Sequence, residues 1–308
     1  MQDVLLAPSR PVAQPAAAAA ARLSVRAVRR SESVLLAFFV YAAAAACLLP
    51  VAPAVRERVV LVNLAVGLVY ALLIGNDAAR PRRALGVIRD WLPLAAILLA
   101  YREMGWFALP HAAHSLESHW VVWDRWVLRG GGRQLIEAWG ALGPSILEIA
   151  YALVYALAPF SVAMLYLYGR RKSVDAFLLI FVLGVLMCYA QFPFWPSEPP
   201  RVVFFGQDLP AYATIFRRFN LWTLGNCGIH TSVFPSAHVA GAFSAAFGMR
   251  RALPGHRWVF RVLLVIAVLI AAATVYGRYH YLADASAGFL MAVLAAMASW
   301  AITPPSRA

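Results

Sequence analysis

The sequence predicts an all-α protein, a polytopic bundle of about eight transmembrane helices, and three observations predict it. The 308 residues are 62% hydrophobic and only 13% charged, whereas roughly a quarter of a soluble domain is charged. The apolar residues fall in runs close to the roughly 20 residues that cross a bilayer as a helix. The basic residues behind the net charge of +13 lie in short clusters between those runs, the pattern of cytoplasmic loops. A nucleic-acid-binding protein would gather them on one polar face, so no nucleic acid is expected as a partner.

Residues 1–32 are rich in Ala, Pro and Arg without apolar periodicity. They read as a mobile cytoplasmic tail, with Arg22, Arg26, Arg29 and Arg30 next to the first span. Apolar runs follow near 33–53, 58–75, 90–108, 143–168, 174–193, 235–250, 258–277 and 281–302. The sixth is short for a full span. With the N-terminus inside, the clusters Arg80/Arg82/Arg83/Arg89, Arg170/Arg171/Lys172 and Arg250/Arg251/Arg257/Arg261 all fall on the inner side. The first outer loop holds only Arg56 and Arg58. This bias predicts a multi-pass protein of the cell (inner) membrane with both termini cytoplasmic.

Two longer segments, 109–142 and 194–234, then lie outside. In the first, Trp120, Trp123, Trp126 and Trp139 alternate with charged and polar residues. Tryptophan favours the membrane boundary, so one or two helices lying flat on the outer surface are expected, broken at Gly130–Gly132. The organisation is therefore a tail (1–32), N-terminal spans with an outer interfacial segment (33–142) and a catalytic core (143–303).

The three cysteines, Cys47, Cys188 and Cys227, form no disulfide framework or thiol metal site. His111, His114 and His119 are a possible zinc cluster, but on one helix His119 lies off the stripe shared by the other two. Polar residues on an interfacial segment account for them without a metal.

The chemistry concentrates in "FPSAH" (Phe234–His238) and "RYHYLAD" (Arg278–Asp284). Polar groups at membrane depth are expensive and need a reason. In the first motif, Pro235 and Ser236 open a helix whose free amides favour an anion, phosphate being the usual guest. His238 stands in the first turn, able to give or take a proton. In the second, His280 and Asp284 are four residues apart and share a helix face. The carboxylate fixes the tautomer that a nucleophilic histidine requires. Arg278 is placed to hold a phosphate oxygen. With the topology above, Arg201, Ser236, His238, His280 and Asp284 all fall at outer helix ends. The chemistry assembled is phosphoryl transfer through a histidine, with no metal or other cofactor if arginines and amides neutralise the charge.

These two motifs resemble those of the type 2 phosphatidic acid phosphatase superfamily, whose second motif is P-S-x-H and whose third ends in H-x-x-x-D. The resemblance covers about 143–302 and implies a six-helix core. It also implies that His280 is the nucleophile forming a phosphohistidine, Asp284 its orienting partner, His238 the general acid and Ser236 a phosphate ligand. The family arginine six residues before the third-motif histidine is replaced by Thr274, and Arg278 is the candidate substitute. The first motif, a lysine followed by Arg-Pro, is also missing. "FPFWPSEPPRVVF", with Pro199, Pro200 and Arg201, is instead similar to the branch of inositol phosphorylceramide synthase, the aureobasidin-resistance protein, and its bacterial relatives. "WDRWVL" near Trp123 and "LEIAYALVY" near Glu148 resemble that branch too. By that resemblance Arg201 would bind phosphate.

The expected partners are a membrane lipid phosphate ester and a hydroxyl acceptor: water in a phosphatase, inositol or a lipid in a head-group transferase. The rival expectation is a non-catalytic transporter or lipid-binding scaffold on the same fold, in which the buried polar residues line a pathway. Glu198, Arg217 and Arg218 read as solvated charges.

Overall fold

The computed structural model describes residues 28–107, 113–229 and 232–302. The tail expectation for 1–27 and the part played by His111 lie outside the described residues. Those residues form helices joined by turns, with no strand among them. In order these are α1 (Arg30–Leu48), α2 (Pro53–Ala79) and α3 (Arg83–Phe107), then the short α4 (Ser115–Val127) and α5 (Arg133–Glu137). The long α6 (Leu142–Leu167) and α7 (Val174–Tyr189) follow, then the one-turn α8 (Pro200–Val203) and α9 (Ile215–Cys227). The chain ends in α10 (Ala237–Ala252), α11 (Arg257–Tyr276) and α12 (Leu282–Ile302).

Seven helices among the described residues are long and apolar enough to cross a membrane: α1, α2, α3, α6, α7, α11 and α12. The helix expected as the eighth span, α10, has 16 residues and is packed between α7, α11 and α12. Its neighbours explain its composition. Ala240, Gly241, Ala242, Ala245, Ala246 and Gly248 are buried against protein rather than lipid, and small residues let helix backbones approach closely. A Cβ on Gly184 of α7 would lie 2.1 Å from Ser244 Oγ of α10.

Local chemistry sets the helix ends. Pro53 opens α2, where its missing N–H costs nothing. Pro93 and Pro159 lie inside α3 and α6, where neighbouring helices make interior prolines tolerable. The helical path between α4 and α5 is interrupted at Gly130 and at Gly131, whose φ of +111° excludes most side chains.

The first helix begins at Arg30, inside the segment assigned to the tail. The reason is remote. Asp175, at the start of α7, accepts from the amides of Arg30 (3.3 Å) and Ser31 (3.1 Å) and from Ser31 Oγ (2.6 Å). A carboxylate from another helix thus caps α1. Nearby, Arg89 grips Glu32 with Nε and Nη2 at 2.8 and 2.7 Å and reaches Asp77 at 2.6 Å. Asp90 accepts from Arg29 (2.6 Å) and Arg171 (2.7 Å). This closed ion network lies at one end of the bundle. The histidine motifs lie at the other, where α10 and α12 begin.

Candidate active site

Three loops meet at that end, held by main-chain hydrogen bonds. The amide of Arg201 donates to the carbonyl of Arg278 (3.2 Å), that of Ser236 to Asp284 (3.0 Å), and that of Ser232 to Ser197 (2.7 Å). Between α11 and α12 the chain folds back on itself, so that the amides of Tyr279 and His280 both donate to the Thr274 carbonyl, at 2.9 and 3.0 Å. Thr274, where a family arginine is absent, therefore shapes the turn with its backbone. Gly288 lets α12 pass close under α10, since a Cβ there would sit 2.3 Å from the Ser236 carbonyl oxygen.

His280 is buried in this turn. Its Nδ1 faces the Val233 carbonyl at 3.1 Å and Asp284 Oδ2 at 3.3 Å. Two acceptors on one nitrogen assign the proton to Nδ1 and leave the Nε2 lone pair free. Asp284 Oδ2 also accepts from the Tyr281 amide at 2.9 Å, which fixes the carboxylate. Burial, and next the charge of Arg201, push the imidazole down to about 3, while the Val233 carbonyl opposes them. His280 is thus neutral at physiological pH.

His238 stands across from His280, with ring centroids 5.5 Å apart. It is held by aromatic faces: Tyr151 stacks on it at 5.1 Å and Tyr155 meets it edge-on at 6.0 Å. The stack continues from Tyr151 to Tyr279 at 4.2 Å, and Arg201 lies over the Tyr279 ring at 5.8 Å. The Arg201 guanidinium has a long bond to the Tyr279 carbonyl, 3.4 Å, and no carboxylate partner among the described residues. Ser236 is the N-cap of α10 and accepts from the Val239 amide at 3.4 Å.

The structure brings Arg201, Ser236, His238, His280 and Asp284 together, but it gives Arg278 another task. Its φ is +62°, and its side chain is fully buried against Asp124, with Nη1 to Oδ2 at 2.6 Å. Arg278 is therefore not free to bind phosphate. The place is left to Arg201, whose charge is felt at His280.

Arg217 is not solvated either. It is buried, bonded to Glu148 Oε1 (3.1 Å) and to the Gly277 carbonyl (3.0 Å). Glu148 also accepts from Asn220 (2.7 Å) and from the Tyr279 hydroxyl (2.6 Å). This network holds Tyr279, and with it the wall behind Arg201 and His238. The signal in the sequence was one carboxylate inside an apolar run, which has no partner within helix reach.

Above the site, Arg125 (2.9 Å) and Arg129 (2.9 Å) bind the carboxylate of Asp208, and Arg133 donates to its carbonyl at 2.7 Å. The segment carrying α4 and α5 is thereby strapped to the loop after α8. Burial of Asp208 is outweighed by Arg125 and Arg129, which hold its carboxyl below the usual range. His114 lies 3.6 Å from Glu117 and from Glu198, and His119 bonds the Ser115 carbonyl at 2.7 Å. No metal-binding cluster occurs among the described residues.

A family model described as the PAP2 superfamily matches residues 134–298. A PA-phosphatase related-family protein of Dictyostelium discoideum is 31% identical over 96 residues, which is 29% of this chain and 17% of that protein. No solved structure matches.

Proposed function

The chain belongs to the PAP2 superfamily, and from that premise we propose that it is a multi-pass membrane enzyme transferring the phosphoryl group of a lipid phosphate ester through His280. The observation that carries the reading is the facing histidine pair, 5.5 Å between rings, with one ring oriented by Asp284.

In the first half-reaction, His280 Nε2 attacks phosphorus. The bond from phosphorus to the alcohol oxygen breaks, and His238 gives its proton to the departing oxygen. Asp284 stabilises the Nδ1 proton as the ring takes on the phosphoryl group. Arg201 and the first amides of α10 face the phosphoryl oxygens, whose charge grows in the transition state. In the second half-reaction, His238 removes a proton from water or another hydroxyl, the new oxygen attacks phosphorus, and the phosphorus–nitrogen bond breaks.

With water as acceptor the enzyme is a lipid phosphatase. With inositol or a lipid hydroxyl it is a head-group transferase, which the Pro199–Pro200–Arg201 segment favours by its likeness to the inositol phosphorylceramide synthase branch. The positions of the basic clusters support cytoplasmic termini and an outward-facing site in the cell membrane. A transporter or scaffold has no need of a histidine held by a carboxylate beside an unpaired arginine.

The test is to trap the intermediate. Purified protein is incubated with lipids labelled at phosphate and quenched in alkali, which preserves phosphohistidine. Label is expected on wild type and not on His280→Ala, whether or not EDTA is present, and vanadate is expected to block it. A folded wild type that takes no label from a broad lipid panel would overturn the proposal. Product analysis with and without added inositol then separates transfer from hydrolysis.

A further inference from the structure

The helix α4 buries the wrong residues for a surface helix. Its inward face is Glu117, Val121 and Asp124, while Val122, Trp123 and Trp126 are exposed. Buried carboxylates are costly unless they have definite partners. Asp124 has two. Oδ2 accepts from Arg278 Nη1 at 2.6 Å, and Oδ1 accepts from the Leu282 amide at 2.7 Å. Both Asp124 and Arg278 are fully buried.

Those partners bracket His280, one two residues before it and one two residues after. The Leu282 amide opens α12 and has no partner within its own helix. Arg278 holds a left-handed backbone conformation that non-glycine residues adopt only when their surroundings enforce it. Asp284 takes the neighbouring amide, Tyr281. Two carboxylates, one from α12 and one from α4, therefore divide the first amides of α12 and fix the turn between them.

We propose that Asp124 is a positioning residue for the nucleophile: a clamp supplied by the segment preceding the matched family region, without which the turn at 278–282 does not hold His280 in line for attack. The proposal rests on the reading of His280 as nucleophile. It makes α4 part of the active centre, with its acidic face locking the turn and its tryptophan face turned outward.

Asp124→Asn leaves Arg278 as a buried charge without its ion partner and is apt to misfold. The informative variant is the pair Asp124→Asn with Arg278→Gln, which removes both charges and keeps the shape. It is compared with wild type for thermal stability, for the rate and half-saturation of labelling by phosphatidic acid labelled at phosphate in detergent micelles, and for hydrogen exchange of the Tyr281 and Leu282 amides. The clamp predicts a melting temperature near wild type and a labelling rate reduced about 10- to 100-fold. Half-saturation stays within about 3-fold, because the loss is in the reacting geometry rather than in binding. Exchange at the two amides becomes faster. A double variant that labels at the wild-type rate, or whose amides stay protected, overturns the proposal. If wild type takes no label, the nucleophile assignment is what has failed, and exchange alone decides whether Asp124 holds the turn.

Discussion

At the end of the bundle away from the histidines, Glu32, Asp77 and Asp90 each accept from an arginine within 2.8 Å. At the site end, polar groups just as deeply placed are left incomplete. Arg201 has only a 3.4 Å bond to a carbonyl. Buried atoms of Arg278, Tyr281 and Asp284 have no hydrogen-bond partner among the described residues. His280 and Asp284 are 3.3 Å apart, longer than the arginine–carboxylate bonds of the other end. The difference teaches what each end is for. A saturated ion network holds helices together and has nothing to offer a ligand. An arginine without a carboxylate, beside a neutral histidine, is poised for an anion that arrives from elsewhere.

The contrast is broken most severely by His280→Ala. Removing the nucleophile is expected to lower phosphoryl transfer at least about 10³-fold with little change in melting temperature, read from labelling and thermal denaturation of the same preparation. A melting temperature that falls with activity would erase the division between the ends. Next comes Arg89→Ala, which leaves Glu32 buried and unpaired and is expected to cost about 3–5 kcal/mol of stability. The surviving folded fraction should label at the wild-type rate per molecule, measured by normalising label to protein that remains monodisperse. Arg201→Ala is expected to do the reverse, reducing the rate about 10²- to 10³-fold while leaving denaturation unchanged. Arg201→Lys should recover part of the loss, because a point charge remains but the planar fork does not.

The smallest effect concerns pH. With a nitrophenyl phosphate ester, whose leaving group needs no proton, the labelling rate should vary less than about 2-fold from pH 5 to 8. The His280 imidazole, pushed down to about 3 by burial and by Arg201, stays neutral throughout that window. Activity should fall only as pH drops toward that value and the ring gains its proton. A rate that climbs tenfold per pH unit between 5 and 6 would mean that His280 titrates normally and that Arg201 lies elsewhere.

Local spacing made part of this legible. His280 and Asp284 are four apart and one turn brings them together. Ser236 and His238 sit at the mouth of one helix. The apolar runs anticipate the long helices within a few residues, and Gly130–Gly132 marks the break between α4 and α5. What stayed hidden is pairing at long range. Arg217 meets Glu148 across 69 residues, and Arg278 meets Asp124 across 154. No period in a chain predicts such partners. Arg217 looked solvated and Arg278 looked like a phosphate ligand because each was judged by its immediate neighbours. Asp175 capping α1 from another helix was missed for the same reason.

The three loops of the site are joined to one another through peptide groups: Arg201 to Arg278, Ser236 to Asp284, Ser232 to Ser197. Peptide groups are common to all residues except for the missing donor of proline. The frame is therefore largely indifferent to which side chains it carries. An arginine can be lost at position 274 and another recruited at 201 while the scaffold that presents them keeps its shape. Lineages that exchange one lipid for another need only rewrite the side chains, and a proline at 201, 232 or 236 is the kind of change such a scaffold would not survive.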